Sequence, residues 1–123
     1  MANQQTNKII VAGPRNYFNI PVINNNLNIL LKQYGQNIEI VTGGAQGVDN
    51  IAEFYARANN IKLITFLPQY HIFNNKSAPI IRNSKMAQYA NILIAFSNGK
   101  SKGTAHMVRF AQKYNLIIHI VNI

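Results

Sequence analysis

Short apolar runs alternate along the chain with longer segments in which apolar residues recur every three or four positions. Short runs bounded by glycine, proline or asparagine are typical of buried strands rather than helices. The pattern predicts strands at Lys8–Ala12, Ile38–Thr42, Lys62–Leu67, Ile92–Phe96 and Leu116–Val121.

The intervening segments predict four amphipathic helices. Gly35 follows the first helix at a position suited to a helix C-terminus, and the third helix extends from Pro79 to about Ala90. A polar stretch over residues 68–77 is predicted to be irregular. The apolar faces of the other helices are Ile23, Leu27, Leu30, Leu31 and Tyr34 in the first, Val48, Ile51, Ala52 and Tyr55 in the second, and Thr104, Met107, Val108 and Ala111 in the fourth.

The order of these elements predicts the fold class. Near-continuously apolar strands separated by amphipathic helices indicate a parallel sheet that is covered on both faces. With right-handed crossovers, the chain forms a Rossmann-like, doubly wound α/β fold with about five parallel strands. A length of 123 residues suits one hydrophobic core, so residues 1–123 are predicted to form a single domain.

The strongly positive net charge of the chain favours an anionic ligand or partner. Twelve Lys and Arg residues face three acidic residues, Glu39, Asp49 and Glu53, which gives a formal net charge of +9. The longest apolar runs are too short to cross a bilayer, and the polar start of the chain lacks the core of a signal peptide. These features predict a soluble, cytoplasmic protein.

The absence of cysteine and the positions of the histidines exclude several kinds of chemistry. The chain contains no cysteine, which rules out disulfides, thiolate nucleophiles and cysteine-ligated metals. His71, His106 and His119 lack the spacing of metal ligands. Neither a metal nor a cofactor is therefore expected.

Candidate chemistry lies in three glycine-containing loops that follow strands one, two and four. Ligands of open α/β sheets bind beyond the C-terminal ends of the strands, where glycine lets backbone amides approach an anion. The loops are Gly13–Asn16, Gly43–Asp49 and Ser97–Thr104. The third combines glycine, lysine and hydroxyl groups and is the preferred phosphate site, although it is not a Walker A loop. Turn formation and solubilising lysines explain the same residues equally well.

Several side chains support two interpretations each. Arg82, followed by Asn83, suits a forked contact to phosphate or a surface pair with a carboxylate. Asp49 suits a helix cap, which is the commoner role, or a contact to a ribose hydroxyl. Glu53 is expected to be solvated or to pair with Arg57. Four loop aromatics suit stacking on a base or covering a sheet edge: Tyr17, Phe18, Tyr70 and Phe73.

An ordered set of motifs spans almost the whole chain. It consists of Val11-Ala12-Gly13-Pro14-Arg15, Val41-Thr42-Gly43-Gly44-Ala45-Gln46-Gly47-Val48-Asp49 with Ala52, Ala78-Pro79-Ile80-Ile81-Arg82-Asn83 with Met86, and Ile94-Ala95-Phe96 with Gly103-Thr104. The set resembles the SLOG superfamily, which groups the Smf/DprA proteins with the LOG phosphoribohydrolases, and it is most similar to the small YspA-related branch.

The resemblance implies a pocket for nucleotides or nucleotide-derived signals, with Asp49 as a pocket residue. LOG enzymes carry a glutamate three residues after the Gly-Thr pair, where this chain has Met107, an apolar residue. Binding is therefore favoured over hydrolysis, and a homo-oligomer is implied. The ligand-binding residues predicted from loops and resemblance are Gly13, Pro14, Arg15, Gly43, Gly44, Ala45, Asp49, Arg82, Asn83, Gly99, Lys100, Ser101, Gly103 and Thr104.

Three functional hypotheses follow. The preferred one is a module that binds a nucleotide or a nucleotide-derived small molecule, to sense or sequester a signal. The second is a nucleotide-processing hydrolase of the phosphoribohydrolase type, in which Asp49 or Glu53 supplies a carboxylate. The third is DprA-like binding of single-stranded DNA, which the charge of +9 favours.

Overall fold

Five strands and four helices alternate in a computed structural model that describes residues 5–35 and 37–123. The prediction of alternating strands and helices is confirmed, and strand boundaries differ from the predicted ones by at most two residues. The elements are β1 (Asn7–Ala12), α1 (Ile20–Tyr34), β2 (Ile38–Thr42), α2 (Val48–Ala58), β3 (Lys62–Thr65), α3 (Ser77–Tyr89), β4 (Ile92–Ser97), α4 (Lys102–Lys113) and β5 (Ile117–Asn122).

The strands form one parallel sheet in the order β3-β2-β1-β4-β5. The central strand β1 pairs with β2 on one side, for example Ile10 with Val41, and with β4 on the other, for example Ala12 with Ala95. Connections therefore leave in opposite directions on the two sides of the β1–β4 boundary. In this class of fold, that boundary opens a crevice beyond the C-terminal ends of the strands.

Alternating residues of the three inner strands fill two apolar layers, one on each face of the sheet. Ile9, Ile40 and Ile92 pack with α1 and α2, whereas Ile10, Val41 and Leu93 pack on the opposite face. Met86 and Ala87 of α3 and Met107 and Ala111 of α4 cover that second face. Helices on both faces confirm the doubly wound α/β fold that the sequence predicted.

Local residues explain where elements begin and end. Asn19 Oδ1 accepts the amide of Val22 at 3.2 Å at the start of α1, and Gly35, with φ of +80°, ends that helix as predicted. Strand β3 is two residues shorter than predicted. The amide of Phe66 still donates to Thr42 O at 2.8 Å, but Pro68 has no amide hydrogen with which to extend the pairing.

Candidate functional site

A cleft of about 570 Å³ opens at the C-terminal edge of the sheet. The loops after β1, β2 and β4 form its walls together with residues of α3 and α4. Twelve of the fourteen residues that the sequence marks as candidate ligand contacts line it: Gly13, Pro14, Arg15, Gly43, Ala45, Asp49, Arg82, Asn83, Lys100, Ser101, Gly103 and Thr104. The structure thus brings three separate loops and α3 to one place, while the role of each residue in binding stays a prediction.

Gly44 and Gly99 do not line the cleft, although both lie in its loops. Their φ angles of +74° and +76° fall in the left-handed region, which glycine adopts without steric cost. A Cβ atom at Gly44 would also lie 2.6 Å from Cδ2 of Leu67. These two glycines shape the turns of the loops that form the cleft.

Asp49 binds the glycine turn and does not cap a helix. Its Oδ2 accepts the amides of Gly43 at 3.0 Å and Ala45 at 3.2 Å. Helix α2 begins after Gly47 and has no side-chain cap, so the helix-cap interpretation of Asp49 is wrong. Burial raises the pKa of Asp49 to about 6, against the opposing effects of the Ala45 amide and the positive charge of Arg82.

Arg82 is buried, contrary to the alternative of a surface arginine. Its Nε donates to Asn83 Oδ1 at 2.8 Å, and its Nη1 donates to Gly43 O and, at 3.5 Å, to Phe66 O. Burial lowers the pKa of this guanidinium, while the charge of Asp49 raises it and that of Arg15 lowers it further. Arg82 therefore links α3 to the loops that follow β2 and β3.

The loop before α4 uses most of its amides internally. Asn98 Oδ1 accepts the amides of Lys100 at 2.8 Å and Ser101 at 3.0 Å, and Ser101 Oγ accepts that of Thr104 at 3.3 Å. The amide of Gly99 donates to Ser97 Oγ at 3.3 Å. Side chains of the loop therefore already occupy these four amides, and phosphate binding by this loop stays a prediction.

Three groups of this loop stay available to a ligand. The side chain of Lys100 is exposed at the cleft. Ser101 Oγ accepts from both N and Oγ1 of Thr104, which leaves its own hydroxyl hydrogen to donate elsewhere. Within the described residues, the amide of Gly103 has no hydrogen-bond acceptor, and it lies at the positive end of α4.

Nine further residues line the cleft that the sequence did not select as contacts: Val11, Ala12, Asn16, Pro79, Ile80, Met86, Asn98, His106 and Met107. Five of them lie in the motifs that carry the family resemblance, so the sequence offered a signal for Val11, Ala12, Pro79, Ile80 and Met86. His106 lies outside those motifs. It reaches the wall of the cleft because it follows Thr104 in the first turns of α4. Met107 is 1% exposed, which makes the wall apolar where LOG enzymes have glutamate.

Glu53 lies elsewhere than expected. Its Oε2 accepts the hydroxyl of Thr42 at 2.6 Å, and the side chain is half-buried rather than solvated. It is absent from the walls of the cleft, so it does not supply a carboxylate there. Among the acidic residues, the cleft is lined by Asp49 alone.

None of the four loop aromatics lines the cleft. Tyr17 packs against the apolar layer under α1 and α2, and Phe18 and Tyr70 are exposed. Phe73 lines a smaller neighbouring recess. These aromatic residues are therefore not placed to stack on a base inside the cleft.

Two negative findings concern residues 5–35 and 37–123. No helix there is long and apolar enough to cross a membrane. In the same ranges, no three His, Asp or Glu side chains are grouped as a metal site would require.

Comparison with known proteins identifies the family. The family described as "YspA, cpYpsA-related SLOG family" matches residues 7–72, more than half of the chain. The chain belongs to this family. Membership supports a nucleotide-related function in general and confirms the resemblance inferred from the motifs.

Individual relatives agree with this assignment. The Gene 61 protein of Mycobacterium phage D29 is 29% identical over 111 residues, which cover 86% of this chain and 89% of that protein. The X-ray structure of TM1055 superposes with a TM-score of 0.68 and a sequence identity of 18%. The match covers 92% of this chain and 72% of the TM1055 chain. DNA processing protein A (DprA) from Streptococcus pneumoniae is 17% identical with a TM-score of 0.75, and the match covers 95% of this chain but 50% of DprA. At these identities, the two structures show a shared fold.

Proposed function

We propose that this SLOG protein binds a nucleotide or a nucleotide-derived small molecule in the cleft, and that it senses or sequesters that molecule. The observation that carries the proposal is a convergence of positive charge. Arg15 after β1, Arg82 in α3 and Lys100 before α4 come from distant parts of the chain and line one cleft. Asp49 is the single acidic residue among the lining residues.

The negative charge of Asp49 is already engaged. Its Oδ2 is hydrogen-bonded to two amides, and its charge interacts with that of Arg82. Arg15 and Lys100 are exposed, and neither has a carboxylate partner among the described residues. A bound phosphate would supply the missing negative charge, and arginine offers it a planar pair of donors.

Neutral donors extend the site beyond phosphate. Because Asn83 Oδ1 accepts from Arg82, the group that Asn83 has left for a ligand is its amide NH₂. The hydroxyl of Ser101 and the amide of Gly103 add donors at the α4 end of the cleft. Donors of this kind suit phosphate oxygens and the ring oxygen or hydroxyls of a sugar.

A calorimetric titration of nucleoside mono-, di- and triphosphates tests the proposal. Arg15→Ala and Lys100→Ala remove exposed charges from the cleft, and Arg109→Ala removes an exposed charge from α4 outside it. We expect about a tenfold loss of affinity in the first two variants and none in the third. Equal affinities in all three would contradict this site, and mass spectrometry of the purified protein identifies a co-purifying ligand.

Hydrolysis of the nucleotide is a second candidate, favoured by one observation. Asp49 lines the cleft with a pKa of about 6, which suits exchange of a proton near neutral pH. Met107 argues against hydrolysis, because an apolar side chain stands where LOG enzymes carry a glutamate. Incubation with nucleotides and chromatography of the products tests it, and turnover that Asp49→Ala abolishes would replace binding by catalysis.

Binding of single-stranded nucleic acid is a third candidate, favoured by the charge of the surface. All three carboxylates are engaged inside the protein: Glu39 with Tyr89 and Lys62, Asp49 with the glycine turn, and Glu53 with Thr42. The fold is shared with a DNA processing protein. Affinity for an oligonucleotide that falls steeply as salt increases would support this candidate.

A further inference from the structure

A second, smaller recess of about 320 Å³ lies beside the cleft, between the end of β3 and α3. Its apolar lining includes Phe66, Leu67, Phe73 and Ile81, and Gln69 and Lys85 add polar groups. Arg82 lines both the recess and the cleft. The two cavities therefore meet at one side chain.

The side chains of Arg82 and Leu67 lie at this boundary. Arg82 Nη1 donates to Gly43 O, in the cleft, and to Phe66 O, in the recess. The side chain of Leu67 lies against the glycine turn, with its Cδ2 2.6 Å from the position of a Cβ at Gly44. Because Arg82 lines both cavities, a ligand that extends from one into the other would pass this side chain.

The two cavities differ in chemistry. The cleft has Arg15, Lys100 and Arg82 for an anion, whereas the recess has two phenylalanines and three aliphatic residues. Lys85, the other cation of the recess, donates to Gln69 Oε1 at 2.9 Å. That bond leaves the Nε2 hydrogens of Gln69 to face an acceptor on a bound ring.

We propose that the recess takes the base of the nucleotide whose sugar phosphate occupies the cleft, with Arg82 beneath the bond that joins them. This rests on the proposed function of the cleft. A nucleobase is planar and uncharged, with hydrogen-bond acceptors on its edge, and it matches an apolar recess that has a single amide donor. The difference in lining orients the ligand, because Arg15 and Lys100 of the cleft favour phosphate and the apolar side chains of the recess favour the ring.

Comparison of ligands with and without a base tests the proposal. Calorimetry measures the affinity of AMP, GMP, CMP, UMP and ribose 5-phosphate for wild-type protein and two variants. Ile81→Trp fills the recess, and Leu67→Ala removes apolar surface from it at a side chain that is 66% exposed. Ile29→Ala, at a position 60% exposed on α1, is the matched control.

We expect Ile81→Trp to weaken the best-binding nucleoside monophosphate about tenfold, since stacking contributes on that order, and to leave ribose 5-phosphate unaffected. Leu67→Ala should weaken the same nucleotide and Ile29→Ala should not. Unchanged nucleotide affinity in both recess variants would overturn the base site while leaving the cleft proposal standing. Failure of wild-type protein to bind any of these five compounds or the nucleoside di- and triphosphates would overturn both proposals.

Discussion

The Oδ2 atom of Asp49 lies 3.0 Å from the amide nitrogen of Gly43 and accepts its hydrogen. The same oxygen accepts the amide of Ala45, so the glycine turn after β2 already holds an anion that belongs to the chain. Under the proposed function, an incoming phosphate would meet the side chains of Arg15 and Lys100, and the start of α4, rather than these two amides. Asp49 both organises the turn and limits where a ligand's negative charge can be bound.

The stability of the protein should depend on pH through Asp49. Its pKa in the folded protein, about 6, lies above the ordinary value of 3.8, so the folded state holds the proton more tightly than the unfolded state. The resulting stabilisation is fully present below about pH 4 and is lost as the pH rises through 6. Its size is up to about 3 kcal/mol.

Asp49→Asn removes this titration and isolates the effect from that of other carboxylates. We expect the free energy of unfolding of the variant, relative to wild type, to increase by up to about 3 kcal/mol between pH 4 and pH 7. Urea unfolding at a series of pH values measures it. Parallel stability curves for the two proteins would contradict a raised pKa at Asp49.

The fold was predictable because its elements are locally encoded. Ile38–Thr42 is too short and too apolar to be anything but a buried strand, and Gly35 ends α1 with the positive φ that its lack of a Cβ permits. The third helix was also predicted, although it has the weakest amphipathic pattern, because Pro79 marks its first turn. The cleft followed from the fold, since its three loops come after parallel strands.

The hydrogen bonds inside the cleft could not be read from the sequence. Arg82 bonds to Gly43, 39 positions away in the chain, and no local pattern encodes such a contact. Asp49 lies at the start of α2, where capping is the common role, yet its side chain turns back to the loop. Asn98 takes up amides that glycine and serine alone suggested were open to a ligand.

Arg82→Ala should destabilise the protein as well as weaken binding. The change removes a buried cation and leaves the carbonyl of Gly43, the side chain of Asn83 and the charge of Asp49 without their partner. Loss of a buried, hydrogen-bonded charge costs about 3 kcal/mol. Chemical unfolding measures this, and Arg109→Ala, at an exposed position on α4, should change stability by less than about 0.5 kcal/mol.

Gly103→Asp should weaken anion binding without harming the fold. A Cβ at Gly103 would meet no atom within 4 Å outside the helix's own backbone, and an aspartate in the first turn of α4 interacts favourably with the helix dipole. Its charge would oppose a phosphate bound beside Lys100, and we expect about a fivefold loss of nucleotide affinity at low salt. Gly103→Asn has the same shape without the charge. Equal affinities for the two variants would place the anion elsewhere.

Gly43→Ala and Gly103→Ala should have opposite effects on stability. A Cβ at Gly43 would lie 2.3 Å from Nη1 and 2.6 Å from Cζ of Arg82, and it would displace the guanidinium from its carbonyl acceptors. That loss of hydrogen bonds should cost roughly 2 kcal/mol. At Gly103 the added methyl has open space in a helix, where alanine is favoured over glycine by about 1 kcal/mol. Thermal unfolding of both variants measures the difference, and a Gly43→Ala protein as stable as wild type would show that Arg82 does not need its contact with the glycine turn.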